Sequence, residues 1–228
     1  MRPVKYEIIG EGAYPAVKLA LAEGDVVTAE AGAMASMDGS VEIQTQMKGG
    51  LLGGLKRSML GGESFFMNHF TSRADGGELV LAPTLPGAIR VREMKGETIF
   101  LQSGSYLGSF GDVEIDTKWK GFKGVFAGEG FFMLRVTGSG TLFFNSFGAM
   151  YDVQVSGSPY KVDTGNIVMF EEGLDYRVAS VGGLKSLVLS GEGLVAEFNG
   201  HGLLVMQTRS IPGFIGWITG KMPKKSGN

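Results

Sequence analysis

One short string occurs three times in this chain: Gly62-Glu63-Ser64-Phe65-Phe66-Met67, Gly128-Glu129-Gly130-Phe131-Phe132-Met133 and Gly191-Glu192-Gly193-Leu194-Val195-Ala196. Each copy is a Gly-Glu turn leading into an apolar run. Glycines and a second apolar run follow: Gly76-Gly77 before Leu79-Val80-Leu81, Gly138 and Gly140 before Leu142-Phe143-Phe144, and Gly200 and Gly202 before Leu203-Leu204-Val205. Glu63, Glu129 and Glu192 are almost evenly spaced. Their period fits a repeated multi-strand unit and is too long for a single hairpin. Each such unit presents an apolar sheet face that its neighbours have to cover, so the repeat constrains the architecture before any one element is placed.

Upstream, Gly24-Asp25-Val26-Val27, Gly104-Ser105-Tyr106-Leu107 and Gly165-Asn166-Ile167-Val168 open similar segments ahead of each Gly-Glu turn. The interval from that opening glycine to the turn is nearly equal in the second and third units and longer in the first. The difference reads as an insertion from Gly49 to Gly62. Leu51, Leu52, Leu55, Met59 and Leu60 give that insertion an apolar surface, with Lys56 and Arg57 placing two cations in its middle. These seven residues are the candidate interaction surface. A protein–protein contact is favoured over a lipid contact, because no long amphipathic helix accompanies them.

The strand signals agree with the repeat. Val41-Glu42-Ile43-Gln44-Thr45-Gln46-Met47 and Val113-Glu114-Ile115-Asp116-Thr117-Lys118-Trp119 alternate strictly between an apolar-leaning face and a polar one, as a half-buried strand does. Most other apolar runs are short and end at glycine, aspartate or proline. Glycine makes up 38 of 228 residues without a three-residue period, against 7 prolines, so the glycines read as turns and bulges. The expectation is an all-β fold of three tandem antiparallel units packed with pseudo-threefold symmetry. It forms a single domain over 1–228, with units at about 1–95, 96–158 and 159–210 and a tail at 211–228. The adjacent pairs Phe65-Phe66 and Phe131-Phe132 point to opposite strand faces, so both faces need cover and most phenylalanines should sit in the core.

The chemistry that can be read is mostly negative. A formal net charge of -2 gives nothing for a nucleic-acid backbone to attract. With no cysteine there is no disulfide, thiolate metal site or cysteine nucleophile. The N-terminal stretch Met1 to Gly10 lacks a signal-peptide apolar run, and no run in the chain approaches the length of a membrane span, so a soluble, cytoplasmic protein is expected. Gly191-Glu192-Gly193-Leu194-Val195-Ala196 matches a G-x-G-x-x-A nucleotide-binding pattern, but the pattern needs a following helix, and Asn199-Gly200-His201-Gly202 interrupts the run. His69 and His201 have no neighbouring ligand cluster, and Glu171-Glu172 sits in a turn. No catalytic, metal-binding or cofactor-binding residue is nominated, and no cofactor is expected.

The strings Ala29-Glu30-Ala31-Gly32-Ala33-Met34, Gly61-Gly62-Glu63-Ser64-Phe65-Phe66, Leu101-Gln102-Ser103-Gly104-Ser105-Tyr106 and Gly128-Glu129-Gly130-Phe131-Phe132 together resemble the AIM24 family over essentially the whole chain. The resemblance implies a repeated all-β fold similar to the attenuation protein of tryptophan operons. It implies no catalytic residue; bacterial members have no assigned biochemical function, and a fungal mitochondrial member is associated with inner-membrane organisation. The favoured reading is a non-catalytic assembly or scaffold protein, placed near a membrane. The alternative is a small-molecule or carbohydrate-binding module, or an enzyme with a dispersed site. A homo-oligomer is expected, a trimer before a dimer, with another protein or a membrane surface as the further class of partner and no nucleic acid. Ile211 to Met222 should pack over the end of the β body, with Phe214→Ala destabilising by roughly 2 to 4 kcal/mol if that ring is fully buried, while Pro223 to Asn228 should be solvated.

Overall fold

A computed structural model describes residues 2–10, 12, 14–45, 59–60, 63–64, 66–117, 132–179 and 195–222. The first unit holds β1 (Lys5–Ile9), β2 (Ala16–Leu21), β3 (Val26–Glu30), β4 (Met34–Met37), β5 (Val41–Thr45), the two-residue strands β6 (Met59–Leu60) and β7 (Glu63–Ser64), β8 (Met67–Ser72) and β9 (Gly77–Leu81). Next come β10 (Ile89–Lys95), β11 (Ile99–Gln102), β12 (Tyr106–Asp116) and β13 (Met133–Asn145). The last group is β14 (Met150–Ser156), β15 (Tyr160–Asp163), β16 (Ile167–Glu171), β17 (Leu174–Ala179) and β18 (Val195–Gln207), followed by one helix, α1 (Ile211–Lys221). The strand pairs are antiparallel, and the described protein is all-β apart from α1 and two 3-10 turns, Ser103–Ser105 and Thr164–Asn166.

In the second and third units one long strand organises the rest, whereas in the first its counterpart is divided into β8 and β9. β13 is paired on one side with β12 along almost its whole length; on the other it pairs first with β11 and then with β10. The change of partner happens at Gly138, where φ is +103° and an added Cβ would lie 2.1 Å from the Asp112 carbonyl oxygen. Only glycine fits that bend.

β18 repeats the arrangement. Ile89 faces Asn145 and Lys95 faces Ser139; one unit further on, Met150 faces Gln207 and Ser156 faces His201. The same shift carries the pair Ile99/Val136 onto Tyr160/Phe198. It also carries the bulge between Tyr106 and Gly108 onto the one between Ile167 and Met169. A buried side-chain bond is repeated with it: Asn145 Nδ2 donates to the Gly104 carbonyl at 3.3 Å, and Gln207 Nε2 donates to the Gly165 carbonyl at 3.0 Å.

Register corrects the alignment of the first unit. β3 meets β8 as β11 meets β13, with Val27 facing Phe70 and Glu30 facing Met67 where Ile99 faces Val136 and Gln102 faces Met133. Gly32, not Gly24, is therefore the counterpart of Gly104 and Gly165. Measured from Gly32 to Gly62, the first unit is only slightly longer than the intervals Gly104 to Gly128 and Gly165 to Gly191. Most of the apparent insertion disappears with that shift.

Three buried clusters follow the three units. One gathers Val17, Leu19, Phe70 and Leu79, a second Ile99, Tyr106, Leu134 and Phe144, and a third Ile167, Phe170, Phe198 and Leu204. Phe66 and Phe132 are half-buried, while Phe65 and Phe131 lie outside the described residues. Tyr106 is fully buried; its hydroxyl donates to the Thr28 carbonyl at 3.0 Å and lies 2.9 Å from Ser109 Oγ, tying the second unit to β3. Burial pushes that phenol well above its ordinary pKa.

Consecutive units join by one rule. β3 pairs β12 with Val27 opposite Phe110 and Ala29 opposite Gly108. β11 pairs β16 with Ile99 opposite Glu171 and Leu101 opposite Met169, which is the same register one unit later. Among the described residues no strand pairing joins the third unit back to the first in this way. The segments between units also touch: Gly148 N–H donates to the Pro86 carbonyl at 2.9 Å and Thr208 N–H to the Ala149 carbonyl at 3.0 Å. Gly87 approaches so closely that a Cβ would lie 1.8 Å from the Ser146 carbonyl oxygen.

Phe170 tests the junction between units. Its ring stacks on Phe100 of β11 at 4.9 Å and meets Phe198 edge-on at 5.1 Å. Phe170→Ala should destabilise by about 3 to 5 kcal/mol in urea unfolding; a loss below about 1 kcal/mol contradicts its place in the core.

Candidate functional site

The residues nominated from sequence do not form a described site. Leu51, Leu52, Leu55, Lys56 and Arg57 lie outside the described residues. Met59 and Leu60 form β6, paired with β7 so that Met59 faces Ser64 and Leu60 faces Glu63. One string within their segment recurs elsewhere in the sequence. Gly54-Leu55-Lys56 has sequence counterparts in Gly121-Phe122-Lys123 and Gly183-Leu184-Lys185, each a few residues ahead of a Gly-Glu string.

The described surface offers two other features. The first is a pair of strand edges left over by the junction rule. In the second and third units the strand residues at a junction are buried, Ile99 to Gln102 in β11, Tyr106 to Phe110 in β12 and Ile167 to Phe170 in β16. Their counterparts at the two ends of the series are open: all four residues of β4 are exposed, as are Tyr160 and Lys161 in β15. β4 bonds only to β9, and β15 only to β18, among the described residues. The β15 edge is braced from behind. Glu197 on β18, nearly buried, pairs with Arg177 at 2.6 Å and with Lys161 at 3.7 Å.

Asp38 ends the β4 edge. Its Oδ1 accepts from the Ser40 hydroxyl at 2.6 Å and the Ser40 N–H at 2.7 Å, and Oδ2 accepts from the Glu78 N–H. The Ser40 hydroxyl first, then these two amides, holds the carboxyl below its ordinary pKa.

The second feature is α1. Ser210 caps it, its Oγ accepting from Gly213 N–H at 3.3 Å, and Pro212 occupies the first turn. Sequence reading missed this helix although the cap and the spacing Ile211, Phe214, Ile215, Ile218, Met222 were present. Gly213, Gly216 and Gly220 disguised it as turn-rich chain. The expected docking is only partial: the Phe214 ring meets Phe147 edge-on at 5.3 Å, yet no residue of α1 is buried. Phe214 is 39% exposed, Ile215 51%, Trp217 63% and Met222 61%. The stability loss expected for a fully buried Phe214 therefore does not apply. Beside the helix start lies an open cleft of about 570 Å³, lined by Asn166, Thr208, Arg209, Ser210, Phe214 and Trp217 among others.

Among the described residues no group of three or more His, Asp or Glu is placed to hold a metal ion. His69 Nδ1 lies 2.9 Å from Thr28 Oγ1, while His201 is exposed in another unit. Glu171 serves structure, with Oε1 accepting from Arg92 at 2.9 Å and Oε2 from the Leu203 N–H at 2.9 Å. The nucleotide-like glycine string runs into the 13-residue strand β18, where that pattern requires a helix. No helix among the described residues is long and apolar enough to cross a membrane.

A family model described as mitochondrial biogenesis AIM24 matches residues 6–209. An uncharacterised protein of Streptococcus pyogenes serotype M6, M6_Spy0233, is 30% identical over 221 residues, covering 93% of this chain and 89% of that one. The crystal structure of protein SPYM3_0169 from Streptococcus pyogenes superposes with a TM-score of 0.82 at 28% identity, covering 96% of this chain and all of that one.

The Asp38 cluster makes a pH prediction. The folded pKa lies below the unfolded one, so the contribution is present above the unfolded value and is lost as pH falls through the folded value. In an acid titration followed by NMR, the Ser40 and Glu78 amide signals should move together below the usual carboxylate range. Asp38→Asn should abolish that step, and a titration at or above the ordinary aspartate value contradicts the assignment.

Proposed function

Because the chain belongs to the AIM24 family, whose relatives here are uncharacterised, we propose from its own geometry that it is a non-catalytic assembly protein, a cytoplasmic scaffold built by head-to-tail self-association. Copies of the chain, each one repeat-built domain, join through β15 of one and β4 of the next. The observation that carries this reading is the junction rule. Applied once more, from the third unit to a first unit, the register of the two internal junctions sets Tyr160 opposite Asp38, Lys161 opposite Met37 and Val162 opposite Ser36. These are the strand edges that stand open. An exposed strand edge invites another strand, and here the inviting edges are complementary to each other by repetition.

Such a contact is heterologous, since the two surfaces differ, so it closes into rings or extends into filaments. A trimer is the favoured ring and a dimer the runner-up. The open character of the cleft at Arg209 and Phe214 also favours a surface role over an enclosed ligand site.

Sedimentation at micromolar concentration tests the proposal. The parent should run as a multiple of its 24.2 kDa chain. Met37→Lys, which sets a like charge opposite Lys161 across the contact, should run as a monomer with an unchanged circular dichroism spectrum. A parent that stays monomeric at every concentration overturns the reading, as does a Met37→Lys protein of parental mass.

A further inference from the structure

We infer that α1 is an interfacial anchor that lays the protein on an anionic lipid surface. The helix holds a residue composition that water disfavours and that its own fold leaves uncovered. None of its residues is buried, and Ile215, Trp217 and the adjoining Met222 are each more than half exposed. At 11 residues it is too short to span a bilayer. A short apolar helix carrying an exposed tryptophan is suited to the boundary between headgroups and acyl chains.

Charge selects lipid over a second copy of the chain as the occupant. No aspartate or glutamate follows Glu197, whereas Arg209, Lys221, Lys224 and Lys225 do. The helix is thus bracketed by Arg209 before it and Lys221 at its end. Two copies of such a helix would repel each other through like charges, while anionic headgroups would neutralise them. The carboxylate of Asp163, which caps the 3-10 turn near Ser210, is engaged by the Gly165 N–H at 2.8 Å. Packing of Trp217 on Phe214, with ring centroids 6.3 Å apart, gathers the aromatic surface on one side of the helix start, and Phe147 props it against the β body.

This inference rests on the proposed assembly only for its strength. In a cyclic ring every copy of α1 faces the same side of the ring, so several weak anchors engage one membrane together. A single copy carries the same surface.

The test is co-sedimentation of the full-length protein with two kinds of vesicle, phosphatidylcholine alone and phosphatidylcholine with about a quarter phosphatidylglycerol. Tryptophan emission and oligomeric mass are read alongside. The parent should bind the anionic vesicles, lose binding as salt is raised, and show a blue shift that Trp217→Phe removes. The double variant Ile215→Ser/Trp217→Ser should lose binding by roughly tenfold or more, with mass and circular dichroism unchanged. Lys221→Glu should weaken binding to anionic vesicles. A parent that binds neither vesicle overturns the inference, as does a double variant that binds as well as the parent. A double variant that drops to a smaller assembly also overturns it, because another copy then covers the helix. If Met37→Lys keeps the parental mass while the parent binds anionic vesicles, the assembly route fails and the anchor stands.

Discussion

The hydrogen-bond ladder between β12 and β13 runs through Gly138 and Gly140 without interruption, and the shape of the second unit depends on that continuity. A strand that stopped at the bend would leave backbone donors and acceptors unpaired inside the protein, where each costs about 1 to 3 kcal/mol. Glycine lets the ladder turn instead. One side of β13 can then pass from β11 to β10. β11 pairs with β13 through one edge and with β16 through the other, which joins the second unit to the third.

Much of this is legible in the sequence, and the failures have physical causes. The three Gly-Glu strings lie just ahead of β8, β13 and β18, and the counterpart relation of Val41 and Val113 holds in the registers. The glycines at 138, 140, 200 and 202 read as turns between short strands because sequence cannot distinguish a glycine that ends a ladder from one that bends it. The long strands β13 and β18 are each 13 residues for that reason. Local similarity matches Gly24 to Gly104, whereas the pairing of Val27 with Phe70 makes Gly32 the counterpart. That single shift accounts for most of the apparent size of the insertion.

The candidate surfaces escape sequence reading for a different reason. β4 and β15 are ordinary strands by composition, and only their open edges set them apart from β12, β16 and β11. An open edge is a property of the three-dimensional series. In α1 the apolar spacing is visible, and it suggests burial of Phe214 because apolar residues usually find cover. The fold leaves that cover incomplete. An open strand edge and an uncovered apolar helix are both liabilities for an isolated molecule.

The proposed head-to-tail contact can be tested by direct trapping because the chain contains no cysteine of its own. Residues directly opposite in antiparallel strands lie within disulfide reach, with Cα atoms about 4.5 to 5.5 Å apart. The measurement is mild oxidation of Lys161→Cys protein mixed with Met37→Cys protein. A covalent heterodimer formed from the mixture, and much more slowly from either variant alone, is the predicted result. Equal cross-linking in each variant alone, or none in the mixture, would contradict the junction of β15 with β4 on which the account rests.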